Sequence, residues 1–551
     1  MQRVGRALRR FWSAIRGRES LVFAAHVALV LGVLSVVRPI FMTLVPAKVY
    51  QQKVIVWAMI QSDLTVISRW FTGRSAWPTL LFIVGPTVVL LALRRRLRWT
   101  DFDHGEKIRA LLLPIVGILT WAGATFDYNS YLDQGHFVDR ALLVALAVAS
   151  WFTPITLPFF AKWAVVMLKE PYIPIIQDDF DLRSSVELLI VFSCFLWAAG
   201  LFRSFRAKHG LLAVVGCWAS YYYAAGVAKM NVGPEWWSWT LTDHVSNISF
   251  GSHVRGWLSF LSDEVYLSAL AQVRKLDLAF TGYTMVLELG ALFAFFLHPR
   301  ISRWMFLGCF FLHFGIFTLT GICFWKWMFV NLVFFFWIPK KGALLYRQMT
   351  RAPLLVVLAI AMVFFSRGRT YYFPQTGVAW YDSRLVENYV FYVVGKSGKR
   401  YFLDPSYLTP MDIQWIQGRL CYATREHSVT GIYGVTRNYP AMLKLEVLEK
   451  PGDAMALVER GRRCEDDKQR AVFDEFFVRY FGTINAKGRQ HEWLARIGRP
   501  RHLYVFPKGE NKYDTQEPIT RLELWREVIV LQADKMHKLE TKLTHTVDIP
   551  Q

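Results

Sequence analysis

Charge is scarce in this chain: Asp, Glu, Lys and Arg make up 19% of its 551 residues, against 54% hydrophobic and 16% aromatic. Long apolar runs in such a composition exclude an ordinary soluble protein of several domains and indicate membrane spans. Acids are the scarcer sign, 42 against 64 bases, which leaves a formal charge of +22. Many of the basic residues flank apolar runs, as the positive-inside rule requires, so the excess is no argument for nucleic-acid binding. Cysteine is also sparse, six in all, which excludes a disulfide scaffold. Cys194, Cys217, Cys309 and Cys323 fall in or beside apolar segments and read as small packing side chains. Cys421 and Cys464 lie in the polar C-terminal region, where they would be able to bridge if that region faces an oxidising compartment. The chain has no metal-ligand spacing, no Gly-x-Ser-x-Gly elbow, no P-loop or dinucleotide fingerprint, and no internal repeat. These gaps argue against a metal centre, and the missing repeat also disfavours a transporter.

What is present is a series of apolar runs, at 21–37, 77–94, 109–125, 139–151, 154–168, 186–202, 211–228, 278–297, 303–321, 323–338 and 352–366. Several are shorter than the roughly 20 residues of a straight span, so kinked, tilted or protein-buried segments are expected. Residues 1–20 are basic and aromatic, and read as a cytoplasmic segment on the lipid surface before an uncleaved first span. If Thr153 and Pro154 break 139–168 into two passes, the loops 94–98, 203–208, 299–303 and 340–351 all fall inside, and all are basic. Residues 126–136, 230–276 and everything after Ser366 then face outward, the periplasm in a bacterium. Segment 234–276, rich in Trp and Ser, suits an interfacial cap, and 54–71 an amphipathic surface segment.

After Ser366 charges become dense and long apolar runs stop. Residues 390–394, a Gly395-Lys396-Ser397-Gly398 turn and 400–403 read as a hairpin, and 503–506 as a further strand. Apolar spacing predicts helices over 411–424, 466–480 and 519–539. The expected fold is a polytopic α-helical membrane domain, 21–366, followed by a smaller mixed α/β extracytoplasmic domain, 367–551.

Lys229 ends the apolar run 211–227, with Gly226 and Ala225 three and four residues back and Tyr222 a turn earlier. A cation at that depth costs a few kcal/mol unless it snorkels, pairs or works as an amine. Small residues beneath it leave room for a planar ligand. Held dry and uncharged among aromatics, it would serve as a general base near neutral pH; snorkelling to the outer headgroups is the plain alternative. His136 stands at the mouth of the run beginning at Val138, on the same side, with Asp127, Asp133 and Asp139 nearby. It would orient a substrate oxygen or pass a proton, or else be a solvated loop histidine. Glu288 lies well inside an apolar segment, where a carboxylate is expected to pair with a cation such as Lys326 or to line a cavity. His313, in mid-span, reads as a satisfied core histidine.

The stretch Ala225-Gly226-Val227-Ala228-Lys229, with Trp236 and Trp237 downstream, resembles the glycine-lysine-tryptophan motif of the vitamin K-dependent γ-carboxylases and their bacterial HTTM relatives. Gly135-His136 before an apolar helix is similar to that family's Asn-His element, although glycine stands where the family has asparagine. Leu287-Glu288-Leu289 and Leu312-His313-Phe314 resemble the segments closing the HTTM domain, and Gly377-Val378-Ala379-Trp380 its tryptophan-bearing exit.

The resemblance implies that Lys229, assisted by His136, deprotonates a reduced vitamin K (a menaquinol-type hydroquinone) bound near Tyr222, Gly226, Trp236 and Glu288. O₂ would then oxygenate the hydroquinone, and the product would abstract a glutamate γ-proton so that CO₂ adds. The implied localisation is the bacterial inner membrane, N-terminus cytoplasmic and C-terminal domain periplasmic, with membrane lipids, quinol and an extracytoplasmic protein or peptide client as partners. A non-catalytic HTTM scaffold or lipid-binding component is the competing reading.

Overall fold

The computed structural model describes residues 80–93, 97–125, 135–169, 206–295, 297–350, 379–404, 426–431, 433–463, 467–488 and 511–551, with isolated positions besides. Apart from Ala25, the expected runs 21–37, 186–202 and 352–366 lie outside the described residues, as do segments 1–20 and 54–71, the helix 411–424, Asp127, Asp133, Cys194, Cys421 and Cys464.

The described N-terminal part is helical: α1 (Gly85–Ala92), α2 (Gly105–Ala124), α3 (Phe137–Phe152), α4 (Leu157–Lys169), α5 (Ala207–Met230), then the short α6 (Ser238–Thr242), α7 (Val245–Val254) and α8 (Asp263–Arg274). It continues with α9 (Asp277–Gly290), α10 (Pro299–Thr320), α11 (Trp325–Trp337) and α12 (Ala343–Thr350). Among the described residues, five helical stretches are long and apolar enough to cross a membrane: Gly105–Ala124, Ala207–Met230, Asp277–Ala294, Pro299–Thr320 and Trp325–Gln348. Thr153 and Pro154 do break the 139–168 run. Trp163, six residues into α4, donates its indole N–H to the Asp139 carbonyl at 3.0 Å, which requires α4 to fold back along α3.

Helix α5 is apolar on every side, the pattern of a helix surrounded by others rather than one with a wet face. The structure places it centrally: 71% of its most apolar window is buried, against 22% for Pro299–Thr320. Trp218 of α5 packs on Phe306 of α10 at 4.3 Å, and Phe306 stacks on Phe334 of α11 at 4.5 Å. Polar side chains clasp the same three helices. Trp218 donates to Asn331 Oδ1 (2.8 Å), Asn331 Nδ2 donates to the Tyr222 hydroxyl (2.7 Å), and that hydroxyl meets His313 Nε2 (3.0 Å). In an apolar medium such bonds average only about 0.6 kcal/mol each, so their main effect is to set orientation.

Segment 234–276 forms α6, α7 and α8, capping one end of the bundle, with Trp236 and Trp237 exposed. The C-terminal region carries a four-stranded antiparallel sheet, ordered β3-β2-β7-β8, with β2 Leu385–Gly395, β3 Arg400–Phe402, β7 Ile519–Gln532 and β8 Lys535–Asp548. Around it lie the short strands β1 (Tyr381–Asp382), β4 (His427–Ser428), β5 (Val435–Thr436) and β6 (Arg462–Arg463), and helices α13 (Tyr439–Glu446), α14 (Asp453–Glu459) and α15 (Asp467–Lys487). Strand β2 is covered on both faces. Val386 packs with Phe250, Tyr266 and Leu270 of the cap, Leu385 packs with Leu445 and Val458, and Phe391 meets Phe477 of α15. The sheet is thereby seated directly on the helical cap.

The expected hairpin is present, with Tyr392 opposite Phe402 and Gly398 at φ 81° in the turn. The helix expected over 466–480 is α15, which runs on to Lys487. Two expectations are corrected. Residues 519–539 are no helix: they form β7, a turn through Ala533 and Asp534 with φ 47° and 54°, and the start of β8. Pairing along the whole of β2 outweighs the helical preference of a Leu, Glu and Arg-rich segment. At the expected strand 503–506, Leu503 makes a single bridge to Ile322, and 505–506 lie outside the described residues.

Candidate functional site

The approach of α5 to α9 creates the site. A Cβ on Gly226 would stand 2.9 Å from Leu289 Cδ2 and 3.2 Å from Glu288 Cβ, so only glycine admits the two helices at this spacing without a shift. One turn on, Lys229 Nζ donates to both oxygens of Glu288, at 2.7 and 2.9 Å. Both residues are buried, at 8% and 6% exposure. Lys229 is thus closely paired, and Glu288 takes Lys229 as its partner rather than Lys326. The ammonium also stands 5.3 Å from the ring centroid of Trp239, a cation–π contact that replaces part of its lost hydration.

The pair lies on the wall of a cavity of about 520 Å³, within the size range of small-molecule sites. Most of the lining is aromatic or aliphatic, including Tyr221, Tyr222, Phe280, Phe324, Trp327 and Trp380. His313 also lines it, tied by Nε2 to Tyr222. Tyr283 and Phe311 belong to the lining and yet are 41% and 51% exposed, so the cavity opens sideways between α9 and α10. Val286 and Phe314, exposed on the same two helices, make the surroundings of that opening apolar.

The strand-bearing region contributes directly. The Trp239 indole donates to the Trp380 carbonyl (2.8 Å), and the Asp382 N–H donates to Asp243 Oδ1 (2.7 Å). Trp380 in turn donates its indole N–H to Asp382 Oδ1 (3.0 Å). Asp243 and Asp382 both line the cavity and are 3% and 5% exposed. Asp243 Oδ2 has no hydrogen-bond partner among the described residues. Burial pushes the Asp243 carboxyl up to about 7. Burial, and then the neighbouring Asp243 charge, raise Asp382 well above the usual carboxylate range. Behind them Asp277 accepts from the Ser246 N–H (2.9 Å) and hydroxyl (2.7 Å) and faces His244 Nδ1 (3.2 Å). That bond to Asp277 raises His244 above the ordinary histidine value.

Of the six residues expected at the site, Lys229, Glu288 and Tyr222 line the cavity. Gly226 acts behind the wall by admitting α9. Trp236 is 58% exposed, stacked edge-on against Trp237, and its expected place is taken by Trp239 and Trp380. His136 is buried at the start of α3 with φ 46°, its Nδ1 3.7 Å from Asp139 Oδ2, and is not among the described lining residues. Next to it Arg140 donates to the carbonyls of Gly135 and Ala124, which ties the end of α2 to the start of α3. Sequence reasoning did not single out Asp243 and Asp382. A signal was present for the first, the only acid between Glu235 and Asp263 in an otherwise aromatic stretch.

Among the described residues no group of three or more His, Cys, Asp and Glu is arranged to hold a metal ion. No protein-family model matches the chain, and no curated protein or solved structure matches it significantly.

Proposed function

We propose that the chain is an integral membrane protein that takes a lipid-soluble, ring-bearing reduced quinone, of the menaquinol type, into this cavity and oxygenates it, with the Lys229–Glu288 pair as base. The observation that carries the reading is the dry, paired amine on the wall of an aromatic cavity that opens sideways onto an apolar surface. A ligand arriving from lipid would enter between Tyr283 and Phe311 and lay its ring among Tyr222, Phe280, Trp327 and Trp380. When bound, such a hydroquinone supplies the electrons that O₂ accepts. The coupling of that oxidation to carboxylation of a glutamate on an outer-face client is part of the proposal, as are the bacterial inner membrane, a cytoplasmic N-terminus and a periplasmic C-terminal region.

The base in this reading is a pair. Lys229 and Glu288 stand 2.7 Å apart, so a hydroxyl proton would be received by the pair, and Trp239 would steady the ammonium left behind. General bases contribute on the order of 10²- to 10⁴-fold in rate. His136 is assigned no step in the cavity.

The expected outcome is that full-length protein in phospholipid nanodiscs consumes O₂ and forms epoxide when given menaquinol, and that Lys229→Ala slows this by about 10²-fold or more. Equal turnover by the variant would end the catalytic assignment. A second reading, a non-catalytic lipid-binding scaffold, is favoured by the same contact, because both amine bonds are used within the protein. Under it, no form of the protein turns over quinol and native phospholipid alone co-purifies.

A further inference from the structure

The carboxylate of Asp243 is held in one place by an interaction on one side only. Oδ1 accepts the Asp382 N–H at 2.7 Å, while the buried Oδ2 has no hydrogen-bond partner among the described residues; the residue, 3% exposed, is part of the cavity wall. A buried acceptor left without a hydrogen bond is costly. Lys229, which lines the same cavity, gives hydrogen bonds to both oxygens of Glu288.

We propose that Asp243 selects the ligand by its hydrogen-bond donors: Oδ2 accepts a hydrogen bond from a ligand hydroxyl and disfavours an otherwise identical ligand that carries a carbonyl oxygen at that position. The inference rests on the reading of a ring-bearing ligand and adds to it a residue that tells the reduced form from the oxidised form. A carbonyl oxygen set against Oδ2 would bring two acceptors together in a dry site, whereas a hydroxyl completes the one bond the fold leaves open. Sites built to bond a hydroxyl reject the analogue lacking it far more strongly than apolar pockets reject a missing methylene. The placement is fixed from two directions, since Asp243 closes α6 and Asp382 begins the strand region with β1. No bond is made or broken in this step.

The test uses the full chain in nanodiscs under anaerobic conditions at pH 8. Its probes are 2,3-dimethyl-1,4-naphthalenediol and the matching dione, which differ only in two hydrogen atoms and are blocked against thiol addition. Binding is followed by tryptophan fluorescence, Trp239 and Trp380 being in the wall. The wild type is expected to hold the diol at least about tenfold more tightly than the dione. In Asp243→Asn, whose amide can donate as well as accept, that ratio is expected to fall to near one or to reverse. Equal affinity of the wild type for both probes overturns the inference and leaves the quinol reading standing, and it does so even if the variant fails to fold. A wild-type preference that survives unchanged in Asp243→Asn assigns the selection to another residue and also overturns it. Binding of neither probe overturns this inference and the proposed function together.

Discussion

At Asp243 burial and function pull in opposite directions. A carboxylate among Trp239, Val245 and Ile248 loses its hydration, and burial moves its pKa to about 7. Its neighbours supply charge of both signs: Asp382 on β1, Asp277 on α9, His244 beside it and Lys229 on α5. The folded-state value lies above the ordinary carboxylate value of 3.8, so the proton is retained up to neutrality and released only as pH rises through about 7. The purely accepting form therefore exists above that point. The donor-over-acceptor preference is expected to be full near pH 8 and to decline as pH falls through about 7, which titrations of the two naphthalene probes between pH 6 and 8.5 would show. His244 gains its charge in a range raised above 6.5, so His244→Gln separates the two contributions. A midpoint that moves with His244→Gln but not with Asp243→Asn would assign the pH dependence to the histidine.

Helices α5 and α9 show how an element turns a residue pattern into a site. In an apolar medium little hydrophobic force draws helices together, so small residues that allow close contact decide where they pack. Gly226 is that residue here. A valine there would add two methyl groups where a bare Cβ already meets Leu289 at 2.9 Å. Gly226→Val is expected to lower stability by about 1–3 kcal/mol and to pull Lys229 away from Glu288. Gly226→Ala should be milder, because the nearest atom is the far end of a flexible leucine. Thermal unfolding in detergent, read beside turnover, checks both; a Gly226→Val protein as stable and active as wild type would remove the packing argument. The sheet gives the opposite lesson about elements. Residues 519–539 carry leucines and charges at helical spacing, yet become strands because β2 presents a complete row of partners from Leu385 to Gly395. Their turn uses Ala533 and Asp534 at positive φ, without the Asn-Gly or Asp-Gly pair that advertises a two-residue hairpin.

For the whole molecule, the central fact is that the cavity is closed by two chain regions more than a hundred residues apart. Trp239 and Asp243 come from the helical cap, Trp380 and Asp382 from the start of the strand region, joined by hydrogen bonds of 2.7 and 2.8 Å between side chain and backbone. A Cβ on Gly251 of α7 would stand 2.4 Å from the Tyr433 carbonyl, so cap and strand region meet backbone to backbone as well. The site is thus composite, and the face that carries the strand region must also carry Lys229. In the proposed orientation, that face is the outer one. Alkaline phosphatase joined after Gln551 is expected to be active and a fluorescent protein at the same point dark, with the reverse result for both reporters inserted at 299–303. An active phosphatase in the loop, or a bright C-terminal fusion, would invert the orientation.

Composition and spacing by themselves determined the helical class of the N-terminal part, the break at Thr153 and Pro154, the β2–β3 hairpin, and the placing of Lys229 and Glu288 as charges in apolar segments. Each of those is a local property: an apolar run, a proline, a glycine turn, or a charge where charge is expensive. Tertiary structure alone decided that Lys229 and Glu288 pair across 59 positions, that Trp239 and Trp380 replace Trp236, and that Asp243, in the cavity wall, has one oxygen without a partner among the described residues. The physical reason is that a hydrogen bond or an ion pair depends on distances of a few ångströms between side chains. Those distances arise only when helices and strands far apart in the chain have already packed.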